Sequence, residues 1–147
     1  MPHIHDKIDF VSEVFVVYKN KVLLRKHDKY KIWLSVGGHI ELDEDPVQAA
    51  IREVKEEVGL DIEIINHTGG YKVKLGEDYR ELNLPVSLSR HRMTPTHEHV
   101  CLVYFAKSDT DKVIPEKETD EWRWCTSEEI DHLQPMNDNT KFYAKKH

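Results

Sequence analysis

The chain has 147 residues, of which 33% are charged and 39% hydrophobic, and its formal net charge is −6. This length is typical of one domain with its own hydrophobic core, so we predict a single domain over residues 1–147. The acidic balance argues against nucleic acid as a main partner. No apolar run is long enough to span a membrane, and the N-terminal residues do not resemble a signal peptide, so we expect a cytoplasmic protein without membrane contact.

The first forty residues predict β-structure. Residues 10–18 are rich in Val and Phe, and residues 21–25 (KVLLR) follow after a turn at Lys19 and Asn20. Two such runs around a short turn are typical of a β-hairpin. A further short strand is predicted from Trp33 towards the glycine pair that follows it.

An amphipathic helix is predicted to follow. Asp45 is a good N-cap, Pro46 suits the first helical position, and Gln48 could complete a capping box. Gly59 fits the position that ends a helix. Apolar residues recur at spacings of three and four and predict one buried stripe: Val47, Ala50, Ile51, Val54 and Val58.

The second half of the chain predicts shorter elements. Strands are expected at residues 61–66, 71–75, 100–106 and 121–125. Ser127 opens a capping box into a short helix, and Asn139 or Thr140 could cap a last helix through residue 146. Residues 66–96 are otherwise unassigned, and we expect substrate selection to depend on this polar segment.

Three carboxylates, those of Glu53, Glu56 and Glu57, occupy positions i, i+3 and i+4 of the predicted helix. They share one face and repel one another, and Arg52 relieves this repulsion only in part. A hard divalent cation would relieve it better. Oxygen-only ligands favour Mg²⁺, with Mn²⁺ as a substitute, over Zn²⁺. The alternative is a solvated acidic helix face.

The pattern G-x5-E-x7-R-E-V-x-E-E-x-G-L runs from Gly38 to Leu60. It resembles the Nudix box of the Nudix (MutT-like) hydrolases. The resemblance implies an α/β fold, the Nudix-type α/β/α sandwich with a mixed β-sheet. It also implies Mg²⁺-dependent hydrolysis of a diphosphate linkage in a nucleoside diphosphate derivative. The implied metal site consists of Gly38, Glu53, Glu56 and Glu57, with Arg52 orienting the carboxylates.

Flanking segments extend the resemblance. WLSVGGHIE at residues 33–41 and EWRWCTSEEI at residues 121–130 are similar to segments that are common in the family. Two positions depart from it, because Val36 stands where Pro is frequent and Asp43 where Gly is frequent. Neither side chain is reactive, so these departures affect loop geometry rather than chemistry.

Several residues outside the acidic helix are candidates for the chemistry. Glu98 precedes a predicted core strand, and it competes with Glu53 and Glu56 as the general base that accepts a proton from water. His97 and His99 could face one side of that strand as metal or phosphate ligands, or could lie on an exposed turn. Arg25 and His39 are candidates to contact substrate phosphates.

Three classes of function compete. The first is a metal-dependent pyrophosphohydrolase whose partner is a small phosphorylated molecule, with nucleoside triphosphates and nucleotide-sugars both open as substrates. The second is a Nudix-type nucleotide-binding or sensor domain without catalysis, against which the intact carboxylates argue. The third is an isomerase of isopentenyl diphosphate, which needs a catalytic cysteine early in the chain, whereas the cysteines here are Cys101 and Cys125. A homodimer is left open.

Overall fold

The computed structural model describes residues 6–65 and 77–147. Within them the elements are β1 (Ile8–Tyr18), β2 (Lys21–Lys26), β3 (Trp33–Leu34), β4 (Val36–His39), α1 (Pro46–Val58), β5 (Ile62–Ile64), β6 (Ser87–Thr94), β7 (His97–Ser108), β8 (Trp122–Cys125), α2 (Ser127–Asp131) and α3 (Asp138–Ala144). In the part of the chain that the structure describes, no helix is both long and apolar enough to cross a membrane.

The eight described strands form one mixed sheet. Its main path runs β3-β2-β1-β7-β5, while β4 pairs with β1, β6 with β7, and β8 with β2. The ladder between β1 and β7 is parallel, and the other ladders are antiparallel. Because side chains alternate along a strand, each face of the sheet carries its own core.

Helices cover both faces of this sheet. Ala50 and Val54 of α1 pack in one core with alternate residues of the central strands, including Val14 of β1. Ile130 of α2 and Ala144 of α3 pack in the other core. The predicted α/β/α sandwich with a mixed sheet is therefore confirmed.

The register of the central strands positions the residues discussed below. The parallel ladder sets Asp9 of β1 opposite His99 of β7, and Ile8 opposite Glu98. The antiparallel ladder with β4 sets Val11 opposite His39. The N-terminal parts of β1 and β7 and the end of β4 therefore lie side by side.

The predicted caps of α1 are confirmed. The Asp45 carboxylate accepts from the backbone N–H of Gln48, whose side chain accepts in return from the Asp45 N–H. Gly59 ends the helix in the left-handed conformation, with φ 69°. One member of the predicted stripe is wrong, because Ile51 is 42% exposed while Ala49 is buried instead.

Several other elements begin or end at residues that differ from the predicted ones, because strand pairing and helix caps set these boundaries. β5 is shorter than predicted, and β7 begins three residues earlier, at His97. β6 was not predicted, since its polar sequence lacks an apolar pattern and it forms only by pairing with β7. The N-cap of α2 is Thr126 rather than Ser127, and that of α3 is Asn137 rather than Asn139 or Thr140. The strand predicted at residues 71–75 lies outside the described residues.

Replacing Gly59 with alanine is expected to destabilise the fold by at least about 1 kcal/mol, because a side chain at φ 69° is strained. The melting temperature should fall by roughly 2–4 °C, measured by thermal denaturation. An added Cβ would also stand 2.8 Å from Cβ of Ile114, so Gly59→Asn should lose stability as well, although asparagine tolerates the left-handed region better than alanine. An alanine variant as stable as the wild type would contradict this role of Gly59.

Candidate active site

The acidic side of α1 borders a cavity of about 580 Å³. Arg25 of β2, the end of β4 and His99 of β7 complete its walls, together with residues of the loop that follows β2. The structure brings together the predicted site residues Gly38, Glu53, Glu56 and Glu57 with the two candidate phosphate contacts, Arg25 and His39. The cavity joins residues that are far apart in the sequence, such as Arg25 and His99.

Glu53 is held beneath the glycine pair of β4. It is 3% exposed, and its carboxylate lies against Gly38, where an added Cβ would stand 2.5 Å from Cδ of Glu53. Only glycine leaves room for the carboxylate at this position. Burial raises the pKa of Glu53, although Arg52 opposes the shift. The site thus confines an acidic group that a positive ion would stabilise.

Arg52 connects the carboxylates of the helix with the loop before it. Nε and Nη2 donate to the carboxylate of Glu44, and Nη1 donates to Glu53 at 2.9 Å and to Glu56 at 3.1 Å. Nη2 also donates to the backbone oxygen of His39. The pKa of Glu44 is lowered by Arg52, and that of Arg52 is raised by Glu44. We call the carboxylates of Glu53, Glu56 and Glu57 the box carboxylates. The Arg52 guanidinium therefore fixes two of these three relative to β4.

Glu57 is held by partners that the sequence did not suggest. Its carboxylate accepts from the Gly37 N–H at 2.9 Å and from Nη1 of Arg25 at 2.8 Å. Nη2 of Arg25 lies 3.5 Å from the buried carboxylate of Asp120. Burial raises the pKa of Glu57 to about 7 despite these favourable partners. Arg25 thus positions the carboxylate of Glu57.

Glu98 does not line this cavity. It alternates along β7 with His97 and His99, so its side chain points to the opposite face of the sheet. There it accepts two hydrogen bonds from Arg90 of β6, at 2.7 and 2.8 Å. Arg90 lowers the pKa of Glu98, which makes this carboxylate a weaker base. The geometry does not favour the predicted role of Glu98 in proton transfer.

His97 and His99 lie beside His39 and Asp9 rather than on an exposed turn. Nε2 of His39 is 3.6 Å from Oδ2 of Asp9 and 3.5 Å from Nε2 of His99. Nε2 of His97 is 3.1 Å from the same oxygen of Asp9. Asp9 was not a predicted site residue, and its place directly before the apolar strand predicted at residues 10–18 was the signal that could have revealed it.

The two cysteines are buried, and neither lines the cavity. Burial raises the pKa of Cys101 to about 12 and also raises that of Cys125. A thiol with a raised pKa is a poor nucleophile. The structure thus offers no support for the isomerase alternative, which needs a catalytic cysteine.

Comparison with known proteins agrees with this geometry. The family model for the NUDIX domain matches residues 11–145. A solved hydrolase of the NUDIX family from Clostridium perfringens superposes with a TM-score of 0.81 and 30% sequence identity, and the match covers 94% of each chain. The chain belongs to the Nudix family, as the box predicts.

Curated relatives match over a shorter segment. Dihydroneopterin triphosphate diphosphatase from Haemophilus influenzae is 49% identical over 55 residues, which are 35% of this chain and 35% of the relative. The enzyme of the same name from Escherichia coli strain K12 is 43% identical over 56 residues, which are 35% of this chain and 37% of the relative. The chain thus matches little more than a third of the length of these relatives.

Proposed function

We propose that the protein is a Mg²⁺-dependent pyrophosphohydrolase that cleaves a diphosphate linkage in a nucleoside diphosphate derivative. The observation that carries this proposal is the convergence of Glu53, Glu56 and Glu57 on one cavity, with Arg52 and Gly38 in the positions that the Nudix box requires. A cytoplasmic location and a small phosphorylated substrate as the main partner belong to the same proposal.

The donor set suits a hard cation. Glu53, Glu56 and Glu57 offer only carboxylate oxygens, which Mg²⁺ and Mn²⁺ prefer. The buried carboxylate of Glu53 occupies the space that glycine leaves at position 38, so the oxygens are confined rather than free to disperse. Mg²⁺ at this site would neutralise phosphate charge and lower the pKa of a bound water.

The residues of the chain would divide the remaining work. Arg52 and Arg25 hold the three carboxylates in fixed positions, so that little reorganisation is needed when substrate binds. A box carboxylate would accept the proton of the attacking water. His39 lines the cavity next to these groups and is a candidate to contact a phosphate oxygen.

The names of the curated relatives suggest a first substrate. Both are dihydroneopterin triphosphate diphosphatases, and their similarity to this chain is confined to about a third of it. Dihydroneopterin triphosphate is therefore one compound to test, beside nucleoside triphosphates and nucleotide-sugars. All three classes carry the diphosphate linkage that the proposed reaction needs.

The proposal is tested by a panel of these compounds with Mg²⁺. Release of pyrophosphate, phosphate or nucleoside monophosphate is measured for the wild type and for Glu56→Gln. We expect at least one compound to be cleaved by the wild type and scarcely by the variant. Tight binding of a compound without turnover would instead favour the non-catalytic nucleotide-binding alternative.

The position of Glu98 makes a second test. Glu98→Gln is expected to change kcat by less than about threefold at neutral pH, because exposed ion pairs such as that with Arg90 contribute little. Arg90→Gln is the matched control and should behave alike. If Glu98→Gln alone lost roughly two to four orders of magnitude of kcat, Glu98 would be the general base after all.

A further inference from the structure

A second group of possible metal-ligand atoms includes two residues, His39 and His99, that line the same cavity as the box carboxylates. It consists of Oδ2 of Asp9, Nε2 of His39 and one ring nitrogen of His99, and these atoms all lie within 4.8 Å of one another. The three residues come from β1, β4 and β7, which the central ladders hold in register. Asp9 and His39 are 1% and 7% exposed, so the cluster is built into the sheet rather than onto its surface.

The separations suit a small metal ion. In a tetrahedral site with metal–ligand bonds of about 2.0–2.2 Å, neighbouring ligand atoms stand roughly 3.3–3.6 Å apart. Nε2 of His39 is 3.5 Å from Nε2 of His99 and 3.6 Å from Oδ2 of Asp9. These two distances lie within the tetrahedral range, and the third pair, Asp9 and His99, lies within 4.8 Å.

The surroundings support the carboxylate that would bind the ion. Nδ1 of His97 is 3.1 Å from the backbone oxygen of Asp6, so this nitrogen must donate. Nε2 of His97 is 3.1 Å from the Asp9 carboxylate oxygen, and because Nδ1 already carries a proton, Nε2 donates to that oxygen when the ring is protonated. Residues that orient metal ligands in this way are typical of protein metal sites.

The chemistry of the donors separates this cluster from the box. Two imidazoles and one carboxylate favour a transition-metal ion such as Zn²⁺ or Co²⁺, whereas the oxygen donors of Glu53, Glu56 and Glu57 favour Mg²⁺. The two sets share no residue. His39 and His99 line the cavity whereas Asp9 does not, so an ion bound to these histidines would lie next to the cavity.

We propose that Asp9, His39 and His99 bind a divalent transition-metal ion, with His97 as a positioning residue for Asp9. This site is additional to the Mg²⁺ site of the box. Its open position would give the cavity a second Lewis acid, suited to an anionic group of a bound ligand. The proposal does not depend on hydrolysis, because metal binding is measured without substrate.

Co²⁺ titration tests the proposal. The full chain, without an affinity tag and stripped with a chelator, is titrated with Co²⁺ in excess Mg²⁺, which occupies the box. We expect one Co²⁺ per chain by equilibrium dialysis, with the visible absorption of four- or five-coordinate Co²⁺, and displacement by Zn²⁺. His99→Gln should bind at least about a hundredfold more weakly, since even a positioning partner contributes roughly 10- to 100-fold.

Three control variants locate the ion. His132→Gln removes an exposed histidine outside the cavity and should bind Co²⁺ like the wild type. Glu56→Gln removes a box carboxylate and should also keep Co²⁺. A variant with both His3 and His5 changed to alanine should do the same. Loss of Co²⁺ in any of these controls would place the ion elsewhere and overturn the proposal.

NMR spectroscopy of the Co²⁺-bound wild type tests the proposal without any variant, so the result does not depend on whether a variant folds. Paramagnetic Co²⁺ shifts the ring protons of the imidazoles that bind it, so two sets of shifted imidazole signals are expected in NMR spectra. An oxygen-only site would give none. Absence of these signals, or of any Co²⁺ absorption in the wild type, would show that Asp9 and the histidines form a purely hydrogen-bonded cluster.

Discussion

Replacing Glu56 with glutamine is expected to lower kcat by at least about a hundredfold, because charge stabilisation at a metal centre is typically worth several kcal/mol. The side chain of Glu56 is 51% exposed, so the amide should leave the fold intact. The measurement is steady-state turnover of the best substrate at saturating Mg²⁺, with circular dichroism to verify folding.

Glu63→Gln is the matched control for this loss. Glu63 also pairs with a basic side chain, Lys107 at 3.5 Å, but it lies on β5 and does not line the cavity. Its variant should retain wild-type turnover. Glu53→Gln should lose activity as Glu56→Gln does, with some loss of stability because Glu53 is buried against Gly38. Near wild-type turnover in either box variant would refute the assigned metal role.

Mg²⁺ is expected to raise the melting temperature of the wild type. An ion that binds only the folded state at about 100 times its Kd contributes roughly 2.7 kcal/mol. For a domain of this size that corresponds to a rise of about 5–10 °C, at roughly 2–4 °C per kcal/mol. The folded helix gathers carboxylates that separate in the unfolded chain, so the ion should prefer the native state. Differential scanning fluorimetry measures the shift.

The triple variant with Glu53, Glu56 and Glu57 changed to glutamine should not respond to Mg²⁺. Na⁺ at matched ionic strength should raise the wild-type melting temperature much less, because it only screens charge. The metal-free triple variant should melt no higher than the wild type, because the change removes the mutual repulsion but also the ion pairs with Arg25 and Arg52. A triple variant that keeps the full Mg²⁺ response would place the Mg²⁺ site elsewhere.

The helix that carries the site could be predicted because its signals are local. Its capping box joins Asp45 and Gln48, three residues apart, and its end depends on the conformational freedom of Gly59. The shared face of Glu53, Glu56 and Glu57 follows from helical periodicity alone. Ile51 was wrongly predicted to be buried because helical periodicity identifies the apolar stripe of α1. It does not tell how much of the helix surface packs against the sheet.

The environment of Glu98 and Glu57 could not be predicted in the same way. Whether Glu98 faces the cavity depends on the register of β7 against β1, and a shift of one residue would reverse the answer. Its partner Arg90 lies on β6, whose polar sequence gave no strand signal. Glu57 likewise meets Arg25 only because β2 passes beside α1 in the folded sheet.

By itself, the sequence determined the family, the acidic helix with its caps, and the set of carboxylates suited to a hard cation. Each of these inferences depends on residues that lie close together in the chain, between Gly38 and Leu60. Only the tertiary structure decided that Arg25 holds Glu57, that Glu98 points away from the cavity and that Asp9 meets His39 and His99. The contacts of Glu57 and of His39 join residues far apart in the sequence: Arg25 and Glu57 are separated by 32 positions, and His39 and His99 by 60. They arise because the sheet brings separate strands and α1 together, and the spacing of residues within one segment does not indicate which distant segment will lie beside it.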